Sequence, residues 1–172
     1  MGSTGKALED LVKKSAKALE PEGLRLKQTG ARFVGKVGAR GRARGRVVES
    51  GDLDFVGDFR GFGVSFDAKS TQVNTRFDLK LIKKHQAVIV KRAHARGALA
   101  FFLVEFSRLE AGPRYWCLTW PVLRSWWDAF DHDGEPASIP AAVFEAECLE
   151  VVRAGNVLDL VAAVRQLLEV AA

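Results

Sequence analysis

Two aspartates and a lysine give the first chemical signal in this 172-residue chain. They lie in Gly51-Asp-Leu-Asp54-Phe-Val-Gly57 and Val64-Ser-Phe-Asp67-Ala-Lys69. Glycines at 57, 61 and 63 separate the two runs, so residues 46–56 and 64–69 read as a hairpin with its turn near Arg60. Strand alternation sorts the side chains. Leu53 and Phe55 take one face and leave Asp52 and Asp54 on the other. On the return strand Val64, Phe66 and Ala68 point inward, while Ser65, Asp67 and Lys69 share the opposite face. A turn at Arg60 then sets Asp54 across from Asp67, and Asp52 across from Lys69. Opposed side chains in such a ladder sit about 5 Å apart. Two carboxylates that close repel unless a cation or a proton joins them, and hard oxygen donors favour Mg²⁺ or Mn²⁺ over zinc. An ammonium two residues along, at Lys69, is placed to orient a water and to offset charge growing on a phosphoryl oxygen. The set suits phosphodiester hydrolysis, although the short pattern also fits an exposed hairpin with one salt bridge.

Two other residues bear on this site. The stripe Leu79, Ile82, position 86, Ile89 and Ala93 follows helical spacing, and position 86 is Gln86. A polar amide on a core-facing stripe needs a partner. That partner is either the active-site edge or the backbone. Glu9 lies on a lysine-rich N-terminal helix and joins the carboxylates only where that helix packs beside the hairpin.

The positioning elements follow from periodicity and punctuation. A helix is expected over Leu8–Leu19, capped by Ser3 or Thr4 and stopped by Pro21 and Gly23. Residues 24–27 and 32–37 read as extended, followed by the Gly/Arg run of residues 38–45 as a loop or hairpin tip. Asp78 is expected to cap a helix ending at Gly97. Residues 98–106 read as a central buried strand and 115–120 as the next. Pro121 opens a short helix to Phe130, 131–140 is loop, 148–152 a short strand, and Asn156 caps a last helix over 157–170. The order predicts an α/β or α+β domain.

Charge is unevenly divided. Residues 1–104 carry 21 Lys/Arg against 10 Asp/Glu, whereas 105–172 carry 5 against 11. From Gly23 to Val48 there are eight bases and no acid, namely Arg25, Lys27, Arg32, Lys36, Arg40, Arg42, Arg44 and Arg46. Such a patch concentrates polyanions, nucleic acid first among them. No apolar run approaches the roughly 18 residues of a membrane span, and the first residues show neither an apolar leader nor a myristoylation pattern. Two cysteines, 117 and 148, make no disulfide framework, so a cytoplasmic location without membrane partners is expected. Residues 30–37 mimic a P-loop, but Val37 stands where the hydroxyl belongs, and the His and Cys residues show no zinc spacing. The tryptophans at 116, 120, 126 and 127 are expected in the core or in a dimer interface.

Taken in order, Gly5-Lys-Ala-Leu8-Glu9, Gly51–Gly57, Gly61-Phe-Gly-Val-Ser-Phe-Asp67-Ala-Lys69, Phe77-Asp-Leu with His85-Gln86, and Tyr115-Trp-Cys-Leu118 resemble the RecU-type Holliday-junction resolvases of the PD-(D/E)xK nuclease superfamily. The resemblance implies one nuclease domain over 1–172 with a restriction-endonuclease-like core, a mixed sheet flanked by helices. It also implies a protruding basic arm at about 30–46. It implies a homodimer that nicks four-way DNA junctions symmetrically with Mg²⁺ or Mn²⁺. By position it assigns Asp54, Asp67, Lys69, Glu9 and Gln86 to catalysis, with Asp54, Asp67 and Glu9 as metal ligands. Arg32, Lys36, Arg40, Arg42, Arg44 and Arg46 fall on the DNA-binding arm. Asp67 stands where Glu is commoner, Ser70 where a further acid is found, and Asp52 where Ser or Thr is usual. Another nuclease of the same fold and a non-catalytic nucleic-acid-binding module stand as the alternatives.

Overall fold

The structure is a computed structural model that describes residues 3–29, 32–37, 43–48 and 53–171, with side chains for 5–29 and 53–170. Helix α1 (Ser3–Leu19) runs into a 3₁₀ turn, Glu20–Glu22, and stops at Gly23, whose φ of 96° lies in the left-handed region. Strand β1 (Leu24–Gln28) follows. Strands β2 (Arg32–Val37) and β3 (Ala43–Val48) form a separate antiparallel pair, from Arg32 opposite Val48 to Val37 opposite Ala43. The backbone thus makes the Gly/Arg region a hairpin. Residues 46–48 belong to it and not to the next one, which corrects the expected strand over 46–56.

The next hairpin joins β4 (Phe55–Phe59) to β5 (Phe62–Thr71). Its turn is Arg60-Gly61, with φ of 50° and 88°. Two successive positive φ values match the twist of the flanking strands, so the turn lies at the position expected from the glycine spacing. Gly57 and Gly63 are within the strands. Gly57 is there for contact reasons: a Cβ would fall 1.8 Å from the Arg25 carbonyl oxygen.

Strand β6 (Arg76–Asp78) and a 3₁₀ turn (Leu79–Leu81) precede α2 (Lys84–Ala95). The helix therefore starts six residues after Asp78. That carboxylate binds Arg76 and Lys80 and caps nothing. Next come β7 (Leu99–Phe106), β8 (Arg114–Thr119) and α3 (Trp120–Asp133), which extends three residues past the expected end. The expected loop over 131–140 holds β9 (Ser138–Pro140), paired with β6, and α4 (Ala141–Glu147) follows it. Strand β10 (Leu149–Glu150) then precedes a small hairpin of β11 (Arg153–Ala154) and β12 (Val157–Leu158). Asn156 belongs to that turn. Helix α5 (Leu160–Ala171) starts at Leu160, where Asp159 accepts the Ala162 N–H at 2.9 Å.

The main sheet has the order β1-β4-β5-β7-β8-β10. Only β5 and β7 run parallel, joined by the α2 crossover, so the sheet is mixed. Helices α1 and α5 cover one face through Leu8, Val12, Leu160, Val161 and Val164, packed on Phe55, Phe66 and Phe101. Helices α2, α3 and α4 cover the other through Val90, Leu123, Trp127 and Phe144, packed on Phe102, Val104 and Trp116. The fold is mixed α/β, a mixed sheet between helical layers. Trp116, Trp120 and Trp127 are core residues. No helix among the described residues is long and apolar enough to cross a membrane.

Candidate active site

The site forms where β5 leaves the hairpin. Its side chains alternate as expected: Val64, Phe66 and Ala68 join the α1/α5 core, while Asp67 and Lys69 face the α2 side. The ladder pairs Phe55 with Phe66, so the next step sets Asp54 beside Asp67. Alternation fails one residue earlier. Leu53 lies in the α2/α3 core and Phe55 in the α1/α5 core, so the two do not share a face. A bend at Asp54 makes the switch. Thr29 holds that bend: its N–H donates to the Asp54 carbonyl at 2.8 Å and its hydroxyl donates to the Leu53 carbonyl. Asp54 Oδ2 in turn accepts the Ala68 N–H at 3.1 Å, which ties the bend to β5.

Asp67 is fully buried. Its Oδ2 accepts from Gln86 Nε2 at 2.5 Å, and Lys69 Nζ lies 2.6 Å from Oδ1. The ammonium is off the direction of a well-formed hydrogen bond, so Oδ1 has a charged neighbour but no aligned donor. Burial pushes the Asp67 carboxyl up to about 6. The Lys69 charge opposes that rise and the Asp54 charge adds to it. Two carboxylates this close, one of them buried, carry more negative charge than the single Lys69 ammonium offsets, and such a place attracts a cation.

Gln86 is nearly buried on α2 and combines both options left by the sequence. Its Oε1 accepts the Lys83 N–H at 3.1 Å and closes the first turn of the helix, while its amide nitrogen reaches Asp67. Glu9 comes to the same end of the sheet, where its carboxylate accepts Gln28 Nε2 at 2.7 Å. Among the described residues no group of three His, Cys, Asp or Glu side chains is arranged to hold a metal ion. Asp54 and Asp67 are thus brought together with Lys69 and Gln86, and Glu9 sits beside the set. Asp52, Arg40 and Arg42 lie outside the described residues, as do the side chains of Arg32, Lys36, Arg44 and Arg46.

Sequence reasoning missed Thr29 and Gln28. Each acts through a neighbour distant in the chain, and neither stands in a recognisable motif.

The family model of RecU, recombination protein U, matches residues 3–166. The chain belongs to the RecU family. Curated relatives named Holliday junction resolvase RecU include that of Lactococcus lactis subsp. lactis, 35% identical over 40% of this chain and 35% of its own length. That of Pediococcus pentosaceus is 32% identical over 55% and 45%. That of Lactiplantibacillus plantarum is 31% identical over 56% and 45%. This RecU-family chain therefore spans less than half the length of the curated relatives it matches. Among solved structures, Archaeoglobus fulgidus Hjc, a Holliday junction resolvase, aligns with 99% of this chain and 100% of its own. It does so at 12% identity and a TM-score of 0.46.

Proposed function

We propose that this RecU-family chain is a structure-specific endonuclease that resolves four-way DNA junctions by divalent-metal-dependent hydrolysis. The carrying observation is the buried Asp67, held between Gln86 and Lys69 and next to Asp54. Membership of the RecU family supports the substrate class. The chain acts as one nuclease domain with the segment of about 30–46 as its basic arm.

Asp54 and Asp67 are the residues that would hold Mg²⁺ or Mn²⁺. The crowding of two carboxylate side chains, with only oxygen donors between them, fits a hard dication. An ion held there would supply activation of water and neutralisation of charge on the phosphoryl group. The chain's own contributions are separable. Gln86 fixes the orientation of Asp67 through its amide. Lys69 sits where its ammonium offsets charge on the phosphate and orients the attacking water. Glu9, held by Gln28, borders the site and acts on bound water or on the position of the strand. To join Asp54 and Asp67 as a ligand it would turn away from Gln28. Arg32, Lys36, Arg40, Arg42, Arg44 and Arg46 neutralise phosphates from the arm. Cutting two strands symmetrically requires two such sites, hence a homodimer acting on DNA in the cytoplasm.

A labelled four-way junction and a linear duplex of the same sequences, incubated with Mg²⁺, test the reading. Paired symmetric nicks confined to the junction are expected. Cutting of both substrates alike would redirect the assignment to a general nuclease. Binding without cutting in either Mg²⁺ or Mn²⁺ would remove catalysis.

A further inference from the structure

A groove of about 510 Å³ runs between α1 and the edge strand β1. Strand β1 ends the main sheet, so among the described residues its outer edge pairs with no other strand. Four bases line the groove, Lys13 and Lys17 from α1 and Arg25 and Lys27 from β1, against two acids, Glu20 and Asp58. Lys13 meets Asp10 at 3.1 Å, but both side chains are about half exposed, and such a pair holds weakly. Glu9, Lys13 and Lys17 follow each other at four-residue intervals, so they form one stripe along α1. Each interval is about 6 Å along the helix axis, comparable with the spacing of neighbouring backbone phosphates.

The groove ends near the candidate active site, on the opposite face of the sheet from Asp67 and Lys69. Its lining includes Gln28, which holds Glu9, and Phe55, which follows Asp54. We infer that this groove carries the phosphodiester backbone of the DNA strand flanking the scissile bond, with Lys13 and Lys17 on successive phosphates. The inference rests on the endonuclease reading. It adds a track on the α1 side of the site, separate from the Gly/Arg arm. From Glu9 at the site end the bases Lys13, Lys17, Lys27 and Arg25 follow, and Glu20 and Asp58 close the far end, so the track for phosphates is the middle of the groove.

The test is the salt dependence of binding to a labelled four-way junction, measured in EDTA so that no strand is cut. Removing one lysine that neutralises a phosphate flattens the slope of log K against log salt concentration by about 0.7 to 0.9. Lys13→Ala and Lys17→Ala are each expected to flatten the slope by that amount. Lys14→Ala, an exposed lysine of the same helix outside the groove, is expected to leave it unchanged. Thermal melting checks that all three variants fold. Equal slopes for all three and the parent overturn the groove while leaving the nuclease reading intact. The same result is expected if a protein strand, and not DNA, covers the β1 edge. Absence of junction binding by the parent protein overturns both readings together.

Discussion

The two faces of β5 do opposite things. On one, Phe66 stacks between Phe55 and Phe101 at centroid separations of 5.2 and 5.0 Å, under α1 and α5. That face stabilises the fold through buried aromatic area. On the other, Asp67 is as completely buried as Phe66, and burial raises its proton affinity. A carboxylate there costs stability even beside the Lys69 ammonium, because burial outweighs that charge. One strand therefore combines a face that holds the sheet together with a face that keeps a charge where water would otherwise reside. The hydrophobic face fixes the register, and the register fixes the meeting of Asp54 and Asp67.

The sharpest way to separate the faces is to change one residue on each. Asp67→Asn is expected to lower junction cleavage by roughly 10³-fold or more while junction binding persists. Phe66→Ala should cost about 3–5 kcal/mol of stability, read as a lower denaturation midpoint, with cleavage lost only as the protein unfolds. The same Asp67→Asn exchange should move stability the other way. The folded carboxyl titrates near 6 and the unfolded one near 3.8, so the folded state holds its proton more tightly. Metal-free stability thus falls as pH rises from about 4 through 6 and levels off above, a loss of the order of 3 kcal/mol. Removing the acid should abolish that slope and raise the melting temperature at pH 7. A melting temperature unchanged by pH in the parent would contradict the burial argument.

Gln86→Ala should reduce cleavage by about 10- to 100-fold by freeing Asp67 to rotate. Weaker Mn²⁺ binding with an unchanged fold distinguishes this from a general loosening of α2. The smallest effect is expected from Asp54→Asn on metal-free stability. The Asp54 charge adds to the raised proton affinity of Asp67, so its removal should shift the stability–pH curve toward lower pH. An unchanged curve would mean that the two carboxylates do not interact.

The parts of this arrangement that the sequence displays are those with a strict period. Alternation along residues 64–69 and the turn at Arg60-Gly61 are enough to bring Asp54 to Asp67, and the apolar run 99–106 is the central strand. What stays hidden depends on neighbours remote in sequence. Residues 53–56 look like one continuous strand, yet Leu53 crosses to the other core because Thr29 bends the backbone. Asp78 looks like a helix cap, but Arg76 and Lys80 occupy it, and α2 begins where Gln86 folds back on Lys83. Helix α4 follows a strand that exists only through pairing with β6, and its first N–H bonds Thr75. Glu9 lies at the site's end of the sheet, but its capture by Gln28 depends on the position of β1, which no local pattern displays.

The proposed cleavage depends on Asp54 and Asp67 sharing one divalent cation. Crystals soaked in Mn²⁺ and measured for anomalous scattering address this directly. The predicted result is a peak bonded to carboxylate oxygens of both residues, absent in Asp67→Asn. A peak that avoids either aspartate, or none at millimolar Mn²⁺, would contradict it.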